Sequence, residues 1–295
     1  MEILLQCVIS GVAQGAIYGL IALGYSVIFS TMRMGHFAQG DFYMVGAYMT
    51  YQALSLWLQP MWVAVIMAVI GTSVLMLVTE RLIYRPMYTG AGTGLLIATM
   101  GTQYIVQEVA VLIWGSEVRK VMPFISPGSL TYKLFDMNLV ISIENLTFIV
   151  ICSILMVMLA VFMKFTKMGQ AMSAVSMNRD AAQLMGIKLT TVIATTYIMA
   201  ASLAAISGLL MAPKFSVTYT MGGVTGNRAM TAAVLGGFGN MPGAMLGGVI
   251  LGIVEIVGAF YISSAYRDVF TFLVLIIVLF WRPQGILGRR GITKV

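Results

Sequence analysis

The sequence is poor in charge. Asp, Glu, Lys and Arg make up only 9% of its 295 residues, whereas a soluble globular chain is about one quarter charged. Because 60% of the residues are hydrophobic, too little polar surface exists to solvate a compact body of this length. The net charge of +7 is compatible with nucleic acid, anionic lipid or the basic loops of a membrane protein. The composition therefore indicates that lipid is the main solvent.

Residues that enzymes and metal sites commonly use are also scarce. His36 is the single histidine, and the two cysteines, Cys7 and Cys152, both lie in long apolar runs. These counts argue against a histidine metal cluster, a cysteine metal site and a disulfide framework. The sequence also lacks a Gly-x-x-x-x-Gly-Lys-Ser/Thr phosphate loop. We therefore expect no catalytic residue, no cofactor and no metal site, and no ATP hydrolysis by this chain itself.

Long stretches without charge predict membrane spans. Residues 3–32 contain no charged residue, and a helix of that length exceeds the roughly 30 Å hydrocarbon core of a bilayer. Residues 42–79 are also free of charge, but Pro60 interrupts them, which is typical of a turn between two antiparallel spans. Further spans are predicted at about 87–114, 145–163, 189–213, 244–262 and 263–281. The fold class expected is all-α, a polytopic integral membrane helical bundle, in a single domain over 1–295.

Glycine and proline make the C-terminal third less regular. The glycines around Pro242 are too many helix breakers for one straight helix, so a short segment is predicted at about 229–241. This gives about eight to nine membrane segments, with one short or broken. Whether the short segment crosses the membrane or re-enters it stays open. The spacings Gly15–Gly19 and Gly243–Gly247 are typical of close helix packing.

The basic residues predict an orientation. If the short segment crosses, most of the 17 Lys and Arg residues lie on the same side as the C-terminus. By the positive-inside rule, the C-terminus is then cytoplasmic and the N-terminus is outside. Basic loops account for the positive charge, so no nucleic-acid partner is expected.

Two regions outside the spans are long enough to meet partners. The predicted extracytoplasmic loop, about 115–144, is either a docking surface for a soluble protein or a connecting loop. In the predicted cytoplasmic loop, about 168–188, Asn178 can cap a short helix that Gly186 closes. The apolar face of that helix must be buried, either against a partner or on the lipid surface.

Two acidic residues, Glu108 and Glu255, fall within predicted spans. Intramembrane carboxylates are costly to desolvate, which makes both candidates for the translocation path. The alternative is that each is protonated or hydrogen-bonded and serves helix packing. Glutamines could likewise face a path or bridge two helices, namely Gln14, Gln103 and Gln107.

Six separated stretches resemble one family. They are GAIYGLIALGYSVIF (15–29), GHFAQGDFYMVGAY (35–48), ERLIYRP (80–86), MGQAMSAVSMNRDAAQLMGI (168–187), MTAAVLGGFGNMPGAMLGGVILGIVE (230–255) and YRDVFTFLVLIIVLFWRPQGILGR (266–289). Together they resemble the permease subunits of branched-chain amino acid ABC transporters, of the LivH type, in the family's order and over essentially the whole chain. One departure lies at 36–41, where the family usually reads Asn-Phe-Ala-His-Gly-Glu and this sequence reads His-Phe-Ala-Gln-Gly-Asp. No role is therefore carried over to His36 or Gln39.

The resemblance implies a subunit of a binding-protein-dependent importer for leucine, isoleucine and valine in a bacterial-type plasma (inner) membrane. Its expected partners are a second, usually different permease subunit, two cytoplasmic ATPase subunits and an extracytoplasmic substrate-binding protein. Residues that match the family's ATPase-coupling segment are Gly169, Asp180, Ala181, Ala182 and Gly186. Residues taken as candidates for the translocation path are Gln14, Glu108, Glu255, Gly236 and Gly237.

Two alternative functions remain open at this point. A related importer could carry urea, short amides or other amino acids. An ion-coupled secondary transporter would place its sites on broken helices, often in paired repeats. The sequence shows one broken segment near residue 240 and no clear counterpart in the first half.

Overall fold

A computed structural model describes residues 2–88, 92–124, 128–134 and 137–288, and helices dominate them. The helices are α1 (Glu2–Met32), α2 (Gln39–Tyr51), α3 (Met61–Thr79), α4 (Gly92–Trp114), α5 (Ile143–Phe165), α6 (Lys167–Met177), α7 (Arg179–Leu184), α8 (Leu189–Phe215), α9 (Met221–Gly236), α10 (Met241–Tyr261) and α11 (Arg267–Trp281). Two antiparallel strands, β1 (Ser129–Leu134) and β2 (Met137–Ser142), pair between α4 and α5. The predicted all-α polytopic fold is confirmed, and the hairpin lies within the predicted 115–144 loop.

Seven helices of the described residues are long and apolar enough to cross a membrane. The last of the seven combines α11 with the 3-10 turn Ser264–Tyr266 and has 18 residues. Helices α2 and α9 are not among the seven and have 13 and 16 residues, or about 20 and 24 Å at 1.5 Å per residue. A π-helical turn, Gln52–Leu56, extends α2. The structure thus adds a second short membrane segment to the one that the sequence predicts.

Helix α9 is longer at its start than predicted. It begins at Met221 rather than near residue 229, because glycines 222, 223 and 226 are helical and not a loop. It ends at Gly236, since Gly237 and Gly239 have φ values of +107° and +85°, which only glycine adopts without strain. Asn240 then caps α10 through a bond from the N–H of Gly243.

The chain forms two compact units. The first comprises Met1–Ser26, Ile125–Met156 and Arg228–Val295. In this unit α1 runs antiparallel to α10 at backbone contact: a methyl group added to Gly15 would lie 2.6 Å from the carbonyl oxygen of Gly248. Gly236 meets Gly243 between α9 and α10 in the same manner. The small-residue spacing of the sequence thus serves close helix packing.

The second unit comprises Val27–Phe124 and Val157–Asn227. Its centre is α2, whose residues are almost all buried. A methyl group on Gly46 would lie 2.5 Å from the Cα of Ala205 on α8. Helix α2 is thus shielded by neighbouring helices, which permits the polar residues in its first turn.

Candidate functional site

The coupling-type segment is a pair of short helices, α6 and α7. The Asn178 side chain accepts a 3.1 Å hydrogen bond from the N–H of Ala181 and caps α7. Gly186, with a φ of +83°, follows the helix and turns the chain toward α8. The short helix, its cap and its closing glycine were all predicted from the sequence.

Two arginines fasten this segment to the end of α1. Arg179 donates a 3.0 Å hydrogen bond from Nη2 to the carbonyl oxygen of Thr31, and Arg33 donates from Nε to the carbonyl oxygen of Ser176 at 3.1 Å. Hydrogen bonds from charged donors are roughly twice as strong as neutral ones. The segment is therefore tied to a membrane helix at two points.

The five coupling residues predicted from the resemblance divide into two groups. Gly169 and Ala182 are buried, whereas Asp180, Ala181 and Gly186 are exposed. The apolar face that the sequence predicts for this helix is exposed, with exposed fractions of 89% for Leu184 and 83% for Met185, and Met177 at the end of α6 is 81% exposed. We call these three residues the apolar tip. Apolar side chains exposed this far are covered either by a partner or by lipid.

Glu255 lies in an ion cluster within the first unit. Its carboxylate is 1% exposed and accepts a 3.0 Å bond from Nη1 of Arg228. Arg228 also pairs with Asp268 at 2.8 Å and approaches the hydroxyl of Tyr18 at 3.4 Å. A paired, buried carboxylate of this kind fits the packing alternative better than a free group in a translocation path.

Among the other predicted path residues, Gln14 is hydrogen-bonded to Tyr18, a member of the same cluster. Gln14 is buried in the first unit, and Glu108 is exposed on α4 in the second. Gly236 and Gly237 approach the backbones of Gly243 and Gly288. The role of these residues in a translocation path stays a prediction.

Breaking the Arg228–Glu255 pair is expected to destabilise the protein. Without Glu255, Arg228 loses its buried partner and keeps only the 64% exposed carboxylate of Asp268; breaking a buried ion pair costs about 3 kcal/mol or more when the remaining charge has no partner. We expect Glu255→Gln to lower the thermal unfolding midpoint of the purified protein clearly, and the double variant with Arg228→Gln to recover part of the loss. Asp268→Asn, at a carboxylate that is 64% exposed, is the milder control. A Glu255→Gln variant that unfolds like the wild type would contradict the pairing.

The start of α2 lies well inside the layer of helices. The Gln39 side chain donates a 2.8 Å hydrogen bond from Nε2 to the carbonyl oxygen of Ala200. Ala200 is the twelfth of the 27 residues of α8, so α2 begins near the middle of that span. The connection from α1 to α2 therefore turns back into the helical layer.

The start of α9 meets the start of α2 at this depth. A methyl group on Gly222 would lie 2.6 Å from Oδ1 of Asp41, and one on Gly40 would lie 2.6 Å from the Cα of Gly226. Gln107 on α4 donates a 2.7 Å hydrogen bond from Nε2 to Oδ1 of Asp41. Sequence analysis named Gln107 as a candidate path residue but missed Asp41. The position of Asp41, directly before the charge-free stretch 42–79, could have indicated an acidic residue inside the membrane. The start of α2, which lies inside the helical layer, is thus a counterpart in the first half of the chain to the broken segment near residue 240.

His36 is enclosed by aromatic rings in the second unit. Its ring centroid lies 5.1 Å from that of Tyr84 and 5.5 Å from that of Tyr197. Neither ring nitrogen has a hydrogen-bond partner within the described part of the chain. Burial lowers the pKa of His36 to about 3. The imidazole is therefore neutral at physiological pH.

The buried histidine predicts a pH response. Because the folded pKa lies below the ordinary value of about 6.5, protonation favours the unfolded state, and His36 costs stability as the pH falls from 6.5 towards 3. We expect His36→Phe, which keeps the aromatic packing, to lessen the fall in unfolding midpoint between pH 7 and pH 5. If the unfolding midpoint falls equally with pH in the variant and the wild type, His36 contributes nothing to the pH dependence of stability.

Comparisons with known proteins agree with this architecture. Residues 7–279 match the family model described as branched-chain amino acid transport system, permease component. The chain is 35% identical to the high-affinity branched-chain amino acid transport system permease protein BraD of Pseudomonas aeruginosa, over 99% of this chain and 98% of that protein. It is 33% identical to LivH of Escherichia coli (strain K12), over 99% and 97%.

A solved structure shows the same fold at low sequence identity. PsaBC from Streptococcus pneumoniae, in complex with Fab, matches with a TM-score of 0.53 and 9% identity, over 93% of this chain and 91% of that one. This likeness concerns the fold alone. Given the family match over nearly its whole length and the two full-length relatives above 30% identity, the chain belongs to the family of branched-chain amino acid transport system permease components.

Proposed function

We propose that this chain is the membrane-spanning permease subunit of a binding-protein-dependent ABC importer for leucine, isoleucine and valine. Relatives named as high-affinity branched-chain amino acid permeases align over 99% of the chain, which supports the substrate class. Seven helices long enough to span a bilayer support a multi-pass protein, here assigned to the inner membrane with its N-terminus outside and its C-terminus in the cytoplasm.

The apolar tip carries the coupling part of this proposal. Met177, Leu184 and Met185 are exposed on short helices that Arg33 and Arg179 tie to α1. A rigidly held apolar surface outside the spans suits a groove in a cytoplasmic ATPase subunit. Closure of two such ATPases would then move α5 and α8, which flank the segment.

The remaining partners follow from the same division of labour. We assign a second permease subunit, two ATPases and an extracytoplasmic substrate-binding protein. The region about 115–144, with its β1–β2 hairpin, is the proposed docking surface for the binding protein, and 168–188 is the coupling loop. The whole chain acts as one permease domain.

Reconstitution tests the proposal. The chain would be purified with its co-expressed subunits, placed in vesicles with the binding protein, and supplied with ATP and labelled leucine or urea. We expect leucine uptake that requires both ATP and the binding protein. Uptake of urea in place of leucine would assign the alternative substrate, and uptake driven by an ion gradient without ATP would refute the importer class.

A further inference from the structure

The carboxylate of Asp41 is only half satisfied. The residue is fully buried, and Oδ1 accepts the bond from Gln107. Among the described residues, Oδ2 has no hydrogen-bond partner. A buried polar atom without a partner is costly and rare in folded proteins. An ionisable group at this depth is also a candidate functional group by default.

The first turn of α9 faces this carboxylate. The first N–H groups of a helix have no partner within it, and the helix dipole makes them favourable for anions. In the part of the chain that the structure describes, no backbone carbonyl accepts from the N–H of Gly222 or Gly223. Gly222 lies against Asp41, and a methyl group on Gly223 would lie 3.3 Å from Nε2 of Gln103.

The carboxylate of Asp41 and the N-terminus of α9 therefore lie side by side. Asp41 offers an unused oxygen to a cationic donor, and the start of α9 offers N–H groups to an anion. We propose that this junction of α2 and α9 binds the ammonium and carboxylate groups of a free amino acid during translocation. The inference rests on the proposed function, and it locates the substrate main-chain groups within it. Half-helix N-termini near the middle of a membrane serve anionic substrate groups in other transporters.

Gln107 acts as an internal substitute for the ammonium group. Its Nε2 donates a 2.7 Å hydrogen bond to Oδ1 of Asp41, and its side chain is only partly buried. Because Asp41 has no exposed surface, the site is closed in this structure. Opening requires the amide of Gln107 to leave Oδ1 and the first turn of α9 to separate from α2.

Glu255 also has a carboxylate oxygen, Oε2, without a hydrogen-bond partner among the described residues. It differs from Asp41 in charge pairing, because its Oε1 lies 3.0 Å from the guanidinium of Arg228, which supplies the opposite charge from within the protein. The two buried acids thus differ in a way that separates packing from binding: one has a permanent cation, and the other has a neutral amide that a substrate can displace.

The test compares Asp41→Asn with Asp41→Glu in the assembled importer. Asparagine keeps an oxygen that accepts from Gln107 but cannot pair with an ammonium group, whereas glutamate keeps the charge. We expect both variants to assemble with their partner subunits. Leucine uptake should fall roughly tenfold or more in Asp41→Asn, as expected for loss of one charged hydrogen bond, and should largely persist in Asp41→Glu. Equal uptake by Asp41→Asn and wild type would overturn the site.

Ligand-dependent stability separates binding from folding. Leucine should raise the unfolding midpoint of the wild-type importer more than 4-methylpentanoate, which lacks the ammonium group, or leucinamide, which lacks the carboxylate. In Asp41→Asn, leucine and 4-methylpentanoate should act alike. Equal responses of the wild type to leucine and 4-methylpentanoate would overturn the site.

A second variant keeps the test informative if Asp41→Asn fails to assemble. Gln107→Leu removes the substitute donor and leaves Asp41 intact, so its midpoint should be lower without ligand and should rise more on adding leucine than that of the wild type. Equal rises would contradict the displacement of Gln107. A wild-type importer that takes up a solute other than an amino acid would refute the proposed function, whatever the variants show.

Discussion

Replacing Leu184 by Asp is expected to separate the permease from its ATPase partners and to abolish uptake. Leu184 is 89% exposed at the apolar tip, and a carboxylate there would have to be desolvated on docking. Loss of a hot-spot residue at an interface costs about 2 kcal/mol or more, which weakens association roughly 30-fold or more. Co-purification of the ATPases and ATP-dependent leucine uptake are the two measurements.

Leu184→Met is the matched control, because it keeps an apolar side chain of similar volume. We expect it to retain both assembly and uptake. If Leu184→Asp still co-purifies with the ATPases at the wild-type ratio, the tip is not the docking surface. Unchanged co-purification is what we expect if the apolar tip rests on the lipid surface. In that case Leu184→Asp weakens only the attachment of α7 to the membrane.

Replacing Gly15 by Leu is expected to prevent stable packing of α1 on α10. A Cβ atom at this position would lie 2.6 Å from the carbonyl oxygen of Gly248 and 2.7 Å from the Cα of Val249. Both are backbone atoms, so the helices themselves must move apart. Overpacking of a well-packed core costs about 1–3 kcal/mol and sometimes more, and a branched side chain against backbone belongs at the upper end.

The measurements are the yield of monodisperse protein and its unfolding midpoint. Gly101→Leu is the control: Gly101 is also helical, and a Cβ atom there would meet no atom within 4 Å. We expect near-normal behaviour for Gly101→Leu and strong loss for Gly15→Leu. Similar midpoints for the two variants would mean that the α1–α10 crossing does not need glycine.

The ion cluster changes how the intramembrane acids are interpreted. From the sequence, Glu108 and Glu255 are equivalent, since each is an acid in an apolar stretch. In the structure, Glu255 is buried beside Arg228, whereas Glu108 is exposed on α4. A charge is costly on a lipid-facing surface, so the two acids call for different explanations although they look alike in the sequence.

The coupling segment contains features that short stretches of sequence predict and features that they do not. A helix cap, an acidic first turn and a closing glycine are short-range features, so Asn178, Asp180 and Gly186 could be placed correctly from sequence alone. Which residues of that helix are exposed depends on what lies beneath it. The burial of Ala182 and the exposure of Leu184 therefore emerged only from the packed structure.

By itself, the sequence determined the lipid environment, most of the spans and the family resemblance, because hydropathy, charge and recurring stretches are properties of the chain in order. Only the tertiary structure decided what the glycines and buried polar groups do. Gly15 packs against Gly248, Arg228 pairs with Glu255 across 27 positions, and Asp41 meets Gln107 across 66. These contacts join residues far apart in the chain, so their partners become visible only when the helices are placed side by side.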